Sequence, residues 1–462
     1  MPAQNPSPVP NPLEQTIDTA MRVGQSFDLI KKRLTLDSGG YAVLYYIDGF
    51  VKDEISEKLM EYYIKTPPEK LADTIPYVET ENTDDTERMT TAILSGATLL
   101  LLPGQKGGTI IDTRSYPVRG IEEPGNDRVL RGPRDGFCET IIFNTALIRR
   151  RIRDPRLTFE IFNVGEYTRT DVVLAYIDGR ADAKFVETMR KKLSAIKIKA
   201  LNFGAESLAE CLLKRRWWNP FPKFRYTERP DAAAAMLGEG SVLVICDNTP
   251  SVMLLPTSIF DFLQETDDYC LPPLTSSYLR LLRLAIYFVT LYLTPVWYWM
   301  IRAPEKLPEW LYFLVLEDPG ALPVLLQLFL AEFAIDGLKL AALNTPAMLN
   351  SSLSVVGGLI LGDFAVGVGW IGEEVVFYMA FVALANFTQP SYELGYAFKF
   401  MRLIMLTLVG CFGTVGLVLG FIAVNLFIAL NKTVDGSRSY LYPLIPFNRQ
   451  AMMRTFFRVK LK

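Results

Sequence analysis

The chain has 462 residues, a net charge of −2, five cysteines and no histidine. The absence of histidine excludes histidine-based catalytic triads, metal ligands and proton relays, and the charge argues against general nucleic-acid binding. The cysteines are scattered, which fits a reducing compartment and offers no zinc-binding spacing. This length predicts two or three structural units.

The N-terminus, "MPAQNPSPVPNPLEQ", is rich in proline. We therefore expect residues 1–25 to be disordered. The stretch contains neither the basic segment nor the apolar segment of a signal peptide, so we expect the soluble part that follows it to stay in the cytoplasm.

Residues 1–280 have an ordinary charged globular composition and contain an internal repeat. "VLYYIDGFVKDEISEKLMEYYIK" from Val43 matches "VLAYIDGRADAKFVETMRKKLSAIK" from Val173, and each predicts a strand, an Asp-Gly turn and an amphipathic helix. A helix and a hairpin follow in both copies, from Thr91 and from Ala234. We predict two similar α/β subdomains, residues 26–130 and 165–275, in the order strand, helix, helix, hairpin.

The basic segment between them, residues 131–164, is predicted to link the two subdomains. It contains "RGPRDG", with Arg134 and Asp135, and "LIRRRIRDPR", with Arg149, Arg150 and Arg151. A solvated or inter-subunit face is one interpretation of these charges. Contact with anionic lipid headgroups or acidic partners is the other.

The stretch "RYTERPD" in the second repeat joins a strand to a helix. Pro230 suits the first turn of a helix, and an acid there complements the helix dipole. One interpretation is a helix start held by local salt bridges. The other is a ligand or partner contact made by Arg225, Glu228, Arg229 and Asp231. No pairing of a nucleophile with a base is evident, so we predict no catalytic residues and no enzyme.

From residue 276 to 430 the chain contains long apolar runs, and a bilayer-spanning helix needs about 20 such residues. We predict an all-α polytopic membrane domain of about five hydrophobic segments. The tail, residues 431–462, has seven Lys and Arg against the single acid Asp435. By the positive-inside rule this tail is cytoplasmic.

The segment Pro323–Asn344 is long enough to span a bilayer, yet it contains Glu332, Asp336 and Lys339 at i, i+4 and i+7. One interpretation is a pair between Asp336 and Lys339. The other is that Glu332 and Asp336 face a water-filled path between subunits, where a ring of acids favours cations.

A stripe of small residues follows, and it includes Ser354, Gly358 and Gly362 with Asp363 beside it. It predicts either close helix packing or the lining of a narrow pore. After it, "QPSYELGYAFKFMRL" predicts an interfacial helix with Lys399 and Arg402 near a membrane edge. The apolar run from Leu403 to Leu430 predicts either one long tilted helix or a break at "CFGTVG".

Four separated motifs resemble those of the A-subunit family of spore germination receptors, the GerA type: "RGPRDGFCETIIFNTALIRRRIRDPRL", "FRYTERPD", "VLVICDNTPSVMLLP" and "QPSYELGYAFKFMRL". The resemblance implies a multi-pass protein of the spore inner membrane with its N-terminal domain on the cytoplasmic side. It also implies a homo-oligomeric ring that conducts ions in germination. A second membrane subunit and germinant receptor components are the further partners it suggests.

Two hypotheses of function follow. The first is an oligomeric channel subunit that releases monovalent cations, with the soluble repeats serving assembly and gating. The second is a non-conducting A-type receptor subunit or membrane scaffold that acts through a partner. We predict no cofactor and no metal for either.

Overall fold

The structure is a computed structural model in which two compact units are distinguished. The first unit comprises Met1–Arg215 and Phe224–Thr257, and the second comprises Arg216–Lys223 and Ser258–Lys462. Within these units the structure describes residues 12–116, 132–213, 218–265, 267–316, 320–344, 365–434, 436 and 439–457.

The first unit contains one series of nine elements twice. In each copy a helix precedes two strands, two helices follow, and a short strand, a helix and two further strands complete the series. The first repeat is α1 (Pro12–Met21), β1 (Leu29–Thr35), β2 (Tyr41–Ile47), α2 (Asp53–Lys65), α3 (Pro68–Thr74), β3 (Thr80–Thr83), α4 (Thr86–Leu94), β4 (Thr98–Leu101) and β5 (Gly108–Ile111). The second is α5 (Ile141–Arg151), β6 (Leu157–Val164), β7 (Thr170–Ile177), α6 (Ala183–Ser194), α7 (Ala205–Leu212), β8 (Arg225–Thr227), α8 (Pro230–Gly238), β9 (Val242–Cys246) and β10 (Val252–Leu255).

Both repeats form a five-stranded antiparallel sheet, with the orders β1-β2-β4-β5-β3 and β6-β7-β9-β10-β8. Helices cover both faces of the first sheet. One core packs it against α1 and α4, and another packs it against α2. The inner strands β4, β5, β9 and β10 are buried at every position. Strands β9 and β10 are unbroken apolar runs, as is typical of strands buried on both faces, whereas β4 contains Thr98 and β5 contains Gly108 and Thr109.

The first helix of each repeat lies in a segment for which the sequence predicted no part of a subdomain. Helix α1 lies within residues 1–25, which we expected to be disordered, and its Ile17 and Met21 are buried in the first core. Helix α5 and strand β6 lie within residues 131–164, which we expected to be a link, yet they contribute to the core of the second repeat. Each sheet needs apolar cover on this face, and these helices provide part of it.

The second unit is helical in its described parts. Its helices are α9 (Asp267–Cys270), α10 (Pro273–Arg302), α11 (Val324–Asn344), α12 (Ala365–Gly367), α13 (Glu373–Phe387), α14 (Tyr392–Leu430) and α15 (Arg449–Phe456). Three 3-10 helices among the described residues occupy Ile259–Leu263, Pro304–Lys306 and Glu309–Leu314.

Helix α14 breaks at Gly413, where the backbone has φ 57° and ψ −127°. The two halves then pack on each other. A Cβ at Gly416 would overlap the backbone carbonyl of Leu408, and one at Gly420 would lie 3.2 Å from Cγ of Met405. Of the two alternatives for this run, one long tilted helix and a break at "CFGTVG", the break is therefore confirmed, and glycines allow the close approach of the two halves.

Two of the described helices, α10 and α14, are long and apolar enough to cross a membrane. Their most apolar 18-residue windows have mean hydropathies of 1.5 and 2.3. Helix α11 has 21 residues but carries Glu332, Asp336 and Lys339. The larger number of spans inferred from the sequence stays a prediction.

Candidate functional site

Five charged side chains meet where α11 lies against the first half of α14. Glu332 and Arg402 are almost completely buried, at 3% and 0% exposure, and Lys339 and Lys399 are also buried. Asp336 is the most exposed of the five. The spacings place the three residues of α11 on one helical face and Lys399 and Arg402 on one face of α14.

Glu332 and Arg402 form the innermost pair. Nε of Arg402 donates to Oε1 of Glu332 at 2.7 Å, and Nη2 donates to the same oxygen. The remaining Nη1 of Arg402 donates to the backbone carbonyl of Thr290 in α10 at 2.5 Å. This guanidinium therefore connects three helices, since it binds α11 and α10 from its position on α14.

Asp336 pairs with Lys399, one turn before Arg402 on α14. Nζ of Lys399 also lies 4.0 Å from Oε2 of Glu332, so one ammonium serves two carboxylates. The other oxygen of Asp336, Oδ1, is buried and accepts no hydrogen bond from the described residues. Asp336 thus has buried acceptor capacity that the described residues leave unused.

Lys339 is held by aromatic rings. Its Nζ lies 5.3 Å from the ring centre of Phe387, 5.8 Å from that of Tyr392 and 5.4 Å from that of Tyr396. Each ring attracts an ammonium through the negative potential of its face. The cage joins the end of α11 to the end of α13 and the start of α14.

The structure differs from the first sequence interpretation of this segment, and the second, a water-filled path between subunits, stays a prediction. Asp336 and Lys339 do not pair, because Asp336 binds Lys399 and Lys339 lies in the aromatic cage. Lys399 and Arg402 are buried in the helical packing. Their expected position near a membrane edge stays a prediction. Sequence reasoning did not identify Lys399 and Arg402 as partners of the two acids. Their spacing of three residues on α14 puts both cations on one helical face, as the spacing of four does for Glu332 and Asp336 on α11.

The other predicted pore residues are Ser354, Gly358, Gly362 and Asp363. They lie outside the residues that the structure describes. Their role as a close-packed or pore-facing stripe stays a prediction.

The "RYTERPD" stretch forms strand β8 and the start of α8. Arg229 is buried, and its Nε and Nη2 donate to the two oxygens of Asp231 at 3.1 Å and 2.7 Å. Its Nη2 also donates to the carbonyl of Pro133 at 3.0 Å. Arg225 and Glu228 are partly buried beside it. These contacts match the local-structure alternative for Arg229 and Asp231, and a guanidinium enclosed in this way has no surface to offer a partner.

The arginines of α5 have three different surroundings. Arg149 is buried and binds Asp28 through Nε at 2.8 Å and Nη2 at 3.0 Å. Arg150 is exposed over the ring of Tyr116 at 4.5 Å, and Arg151 pairs with Asp135 at 2.5 Å. Burial removes Arg149 from the predicted partner contacts. Arg134 and Arg150 are exposed and Arg151 partly so, and all three keep that role as a prediction together with Asp135.

The chemistry available at the charge cluster is electrostatic. Its carboxylates and cations can bind, hold or exchange ions, and no nucleophile lies in hydrogen-bond contact with a base there. No group of three or more Cys, Asp or Glu side chains suited to a metal ion occurs among the described residues.

Comparison with known proteins identifies the family. The family model described as "Bacillus/Clostridium GerA spore germination protein" matches residues 16–462. Stage V sporulation protein AF of Bacillus subtilis is 36% identical, and the alignment covers 96% of this chain and 91% of that protein. Spore germination protein KA of the same organism is 28% identical, with 97% and 85% covered.

One solved structure is also similar. It is the N-terminal domain of the A subunit of the Bacillus megaterium spore germinant receptor GerK3, which is 24% identical. The match covers 52% of this chain and 91% of that one, with a TM-score of 0.39. The family match extends over nearly the whole chain, across both units, and confirms the resemblance carried by the four motifs. The chain therefore belongs to the GerA family of spore germination proteins.

Proposed function

We propose that this chain is a subunit of an oligomeric ion channel that releases monovalent cations across the spore inner membrane during germination. Its first unit and its C-terminal tail lie on the cytoplasmic side, and the repeats serve assembly and gating. Membership of the germination family and two helices apolar enough to span a bilayer support this proposal. A second membrane subunit and receptor components are the partners it suggests.

The observation that carries the proposal is the charge cluster between α11 and α14. Ionisable side chains at membrane depth are costly unless they pair or face water, and they commonly mark ion pathways. A helix that only anchors a protein needs neither Glu332 nor Asp336. Repetition of Asp336 around a ring would place several carboxylates with unused acceptor capacity near one axis, which favours cations.

The pairs also define how conduction is controlled. In the arrangement described here Glu332 is neutralised by Arg402, and Asp336 is neutralised by Lys399. A channel with these pairs intact presents little free negative charge. We propose that opening weakens the Asp336–Lys399 pair, the more exposed of the two, while Glu332–Arg402 keeps the helices together.

The test is cation flux through the purified chain in lipid vesicles. We expect Asp336→Asn to reduce efflux of monovalent cations while assembly is unchanged. Glu373→Gln removes an exposed acid from the first turn of α13 and serves as the matched control, which should conduct normally. Equal flux in the wild type and in Asp336→Asn, at equal assembly, would exclude α11 from the ion path.

A second candidate is a non-conducting receptor subunit or scaffold. The observation that favours it is that Glu332 and Asp336 are each paired with a cation of the same chain, so the cluster is able to act purely by holding the helices together. Vesicles that contain assembled wild-type chain and yet show no cation flux, alone or with a partner subunit, would select this alternative.

A further inference from the structure

The chain segment 441–457 exposes apolar side chains to solvent. The chain packs against the rest of the second unit on either side of them, at Tyr440 and at helix α15, and these two packed parts are called the fixed points below. Leu444, Ile445 and Phe447 are 40%, 50% and 66% exposed. They occupy a series of turns, in which the N–H of Leu444 donates to the carbonyl of Leu441 at 2.7 Å and that of Asn448 donates to the carbonyl of Pro443 at 3.0 Å. Side chains of this size held outward by an ordered backbone indicate a contact surface.

The first fixed point is Tyr440. Its side chain is fully buried, and its hydroxyl donates to the carbonyl of Pro222 at 2.8 Å. Its backbone carbonyl accepts from the N–H of Ile259 at 2.9 Å, and its own N–H donates to the carbonyl of Asn431 at 3.0 Å. The turns therefore begin from a tightly packed position of the second unit.

The second fixed point is helix α15. The side chain of Asn448 caps it by accepting from the N–H of Ala451 at 3.1 Å. Phe456 packs edge-on against Phe260 at 5.3 Å, and Nη1 of Arg280 donates to the carbonyl of Thr455 at 3.3 Å. Helix α15 is thus held by the second unit, and its Met453 is exposed.

These contacts place the segment at the polar end of α10. Arg280 and Arg283 lie there and bind the buried Asp268 at 3.2 Å and 2.8 Å, and the long apolar run of α10 starts at Leu284. A helix that crosses a bilayer leaves the hydrocarbon where its apolar run meets such charges. The exposed apolar residues are therefore next to the level at which α10 would meet the headgroups.

The charge of the segment matches an anionic lipid surface. The segment contains Arg449 and Arg454 and no acid, and Arg458, Lys460 and Lys462 follow it in the sequence. Exposed Leu, Ile and Phe side chains in a sequence that is rich in cations and free of acids are the composition of interfacial segments. Such segments bury apolar groups at the headgroup boundary, while their cations attract anionic lipids.

We propose that residues 441–457 form an interfacial element that binds the surface of a bilayer containing anionic lipids, with Leu444, Ile445 and Phe447 inserted at the headgroup boundary. This inference rests on the proposed function only in that α10 crosses the same bilayer. It adds a binding surface for lipid, and it does not depend on ion conduction.

The experiment uses the full chain with its five cysteines replaced, in phosphatidylcholine vesicles with or without about 30% phosphatidylglycerol. Phe447→Cys carries a polarity-sensitive fluorophore, and lipids brominated near the glycerol end of the acyl chain quench it on contact. We expect quenching at position 447, and about twofold weaker quenching without the anionic lipid. Replacing Arg449, Arg458, Lys460 and Lys462 with Gln should reduce the quenching in anionic vesicles to that weaker value.

Two label positions serve as controls. Phe288→Cys, on the exposed side of α10, should be quenched in both kinds of vesicle, whereas Tyr167→Cys, exposed in the first unit, should be quenched in neither. Quenching at 288 without quenching at 447 overturns the interfacial element alone. Absence of quenching at 288 overturns the membrane placement of α10 and the inference with it. A label at 447 shielded from both brominated lipid and aqueous iodide means that another copy of the chain covers the segment, which also overturns the proposal.

Discussion

The two repeats of the first unit share one topology, yet they attach their first helix by different interactions. In the first repeat a layer of polar contacts joins α1 to the sheet, in addition to the apolar contacts of Ile17 and Met21. Glu14 accepts hydrogen bonds from Arg33 at 2.7 Å and Tyr41 at 3.0 Å and lies 2.8 Å from Nζ of Lys31. Asp18 of the same helix pairs with Lys31 and accepts from Tyr45.

In the second repeat the corresponding contact is apolar. Ile141, Leu147 and Ile148 of α5 pack in one core with Phe159 and Val173 of the sheet. The arginines of α5 are therefore available for other contacts, and Arg149 binds Asp28 at the start of β1 in the first repeat. One repeat uses its charges to hold its own helix, and the other uses them to join the two repeats.

The Asp-Gly turns after β2 and β7 also differ in their contacts, although the turns themselves are alike. Gly49 and Gly179 have nearly equal φ angles of 79° and 78°. A Cβ at Gly49 would lie 3.1 Å from side-chain atoms of Ala146 and Ile142 on α5, whereas one at Gly179 would meet nothing within 4 Å. A duplicated turn has thus become a docking point for the neighbouring repeat in one copy only.

The largest expected effect comes from breaking the link between the repeats. Arg149→Met leaves Asp28 buried without its partner, and we expect the first unit to lose about 3–5 kcal/mol of stability. Hydrogen exchange of peptides from β1 and β6 in the full chain measures it. Arg150→Met, one position along the same helix and exposed, should leave the exchange nearly unchanged. Similar effects of the two substitutions would mean that the link contributes little.

The two turn glycines provide a matched pair. Gly179→Ala should lower the stability of the first unit by about 1–2 kcal/mol, because the positive φ is unfavourable for a residue with a Cβ and no neighbouring atom adds to that cost. Gly49→Ala adds overpacking against α5, so we expect about 2–4 kcal/mol in total. Exchange protection of α5 should fall in Gly49→Ala alone. Equal costs at both positions would argue against a docking role for Gly49.

Glu14→Gln tests the polar layer. We expect it to lower the free energy of opening of α1, measured by hydrogen exchange, by about 1–3 kcal/mol at neutral pH. Burial by itself would raise the pKa of Glu14, but hydrogen bonds from Lys31, Arg33 and Tyr41 outweigh it and hold the pKa below its ordinary value. The stabilisation is therefore complete above the unfolded carboxyl pKa of about 4.3, and it is lost as the pH falls through the lowered folded pKa. The difference in α1 protection between wild type and variant should shrink in acid. A difference that does not depend on pH would show that the charge of Glu14 is not what holds α1.

The smallest effect concerns the helices that precede the second pair of strands. Helix α4 is capped by the side chain of Asp85, which accepts from the N–H of Glu87 at 2.8 Å, whereas α8 starts with Arg229 and Pro230 and has no side-chain cap. Asp85→Ala should lower the free energy of opening of α4, measured by hydrogen exchange, by about 1 kcal/mol. The adjacent exposed Asp84→Ala provides the control, and a comparable loss there would rule out capping as the cause.

Local sequence patterns predicted much of the secondary structure because their causes are local. The repeated strand and turn motifs, the helix start at Pro230 and the break at "CFGTVG" all depend on residues within a few positions of each other. The same patterns did not predict α1 and α5 as the first helices of the repeats. The prolines before α1 indicated disorder, and the arginines of α5 indicated a basic linking segment. Both helices are stabilised by the sheets that they cover more than by their own composition.

The sequence by itself determined that the soluble part is duplicated, that apolar helices follow it, and that Glu332, Asp336 and Lys339 share one helical face. Only the tertiary structure decided their partners, because Lys399 and Arg402 lie 63 and 70 positions from the acids that they bind. The same holds for Arg149 and Asp28, which are 121 positions apart. Helical periodicity places a charge on a face, but the neighbour opposite that face depends on how the chain folds back. A charge pattern on one helical face therefore does not by itself show which side chains those charges will bind.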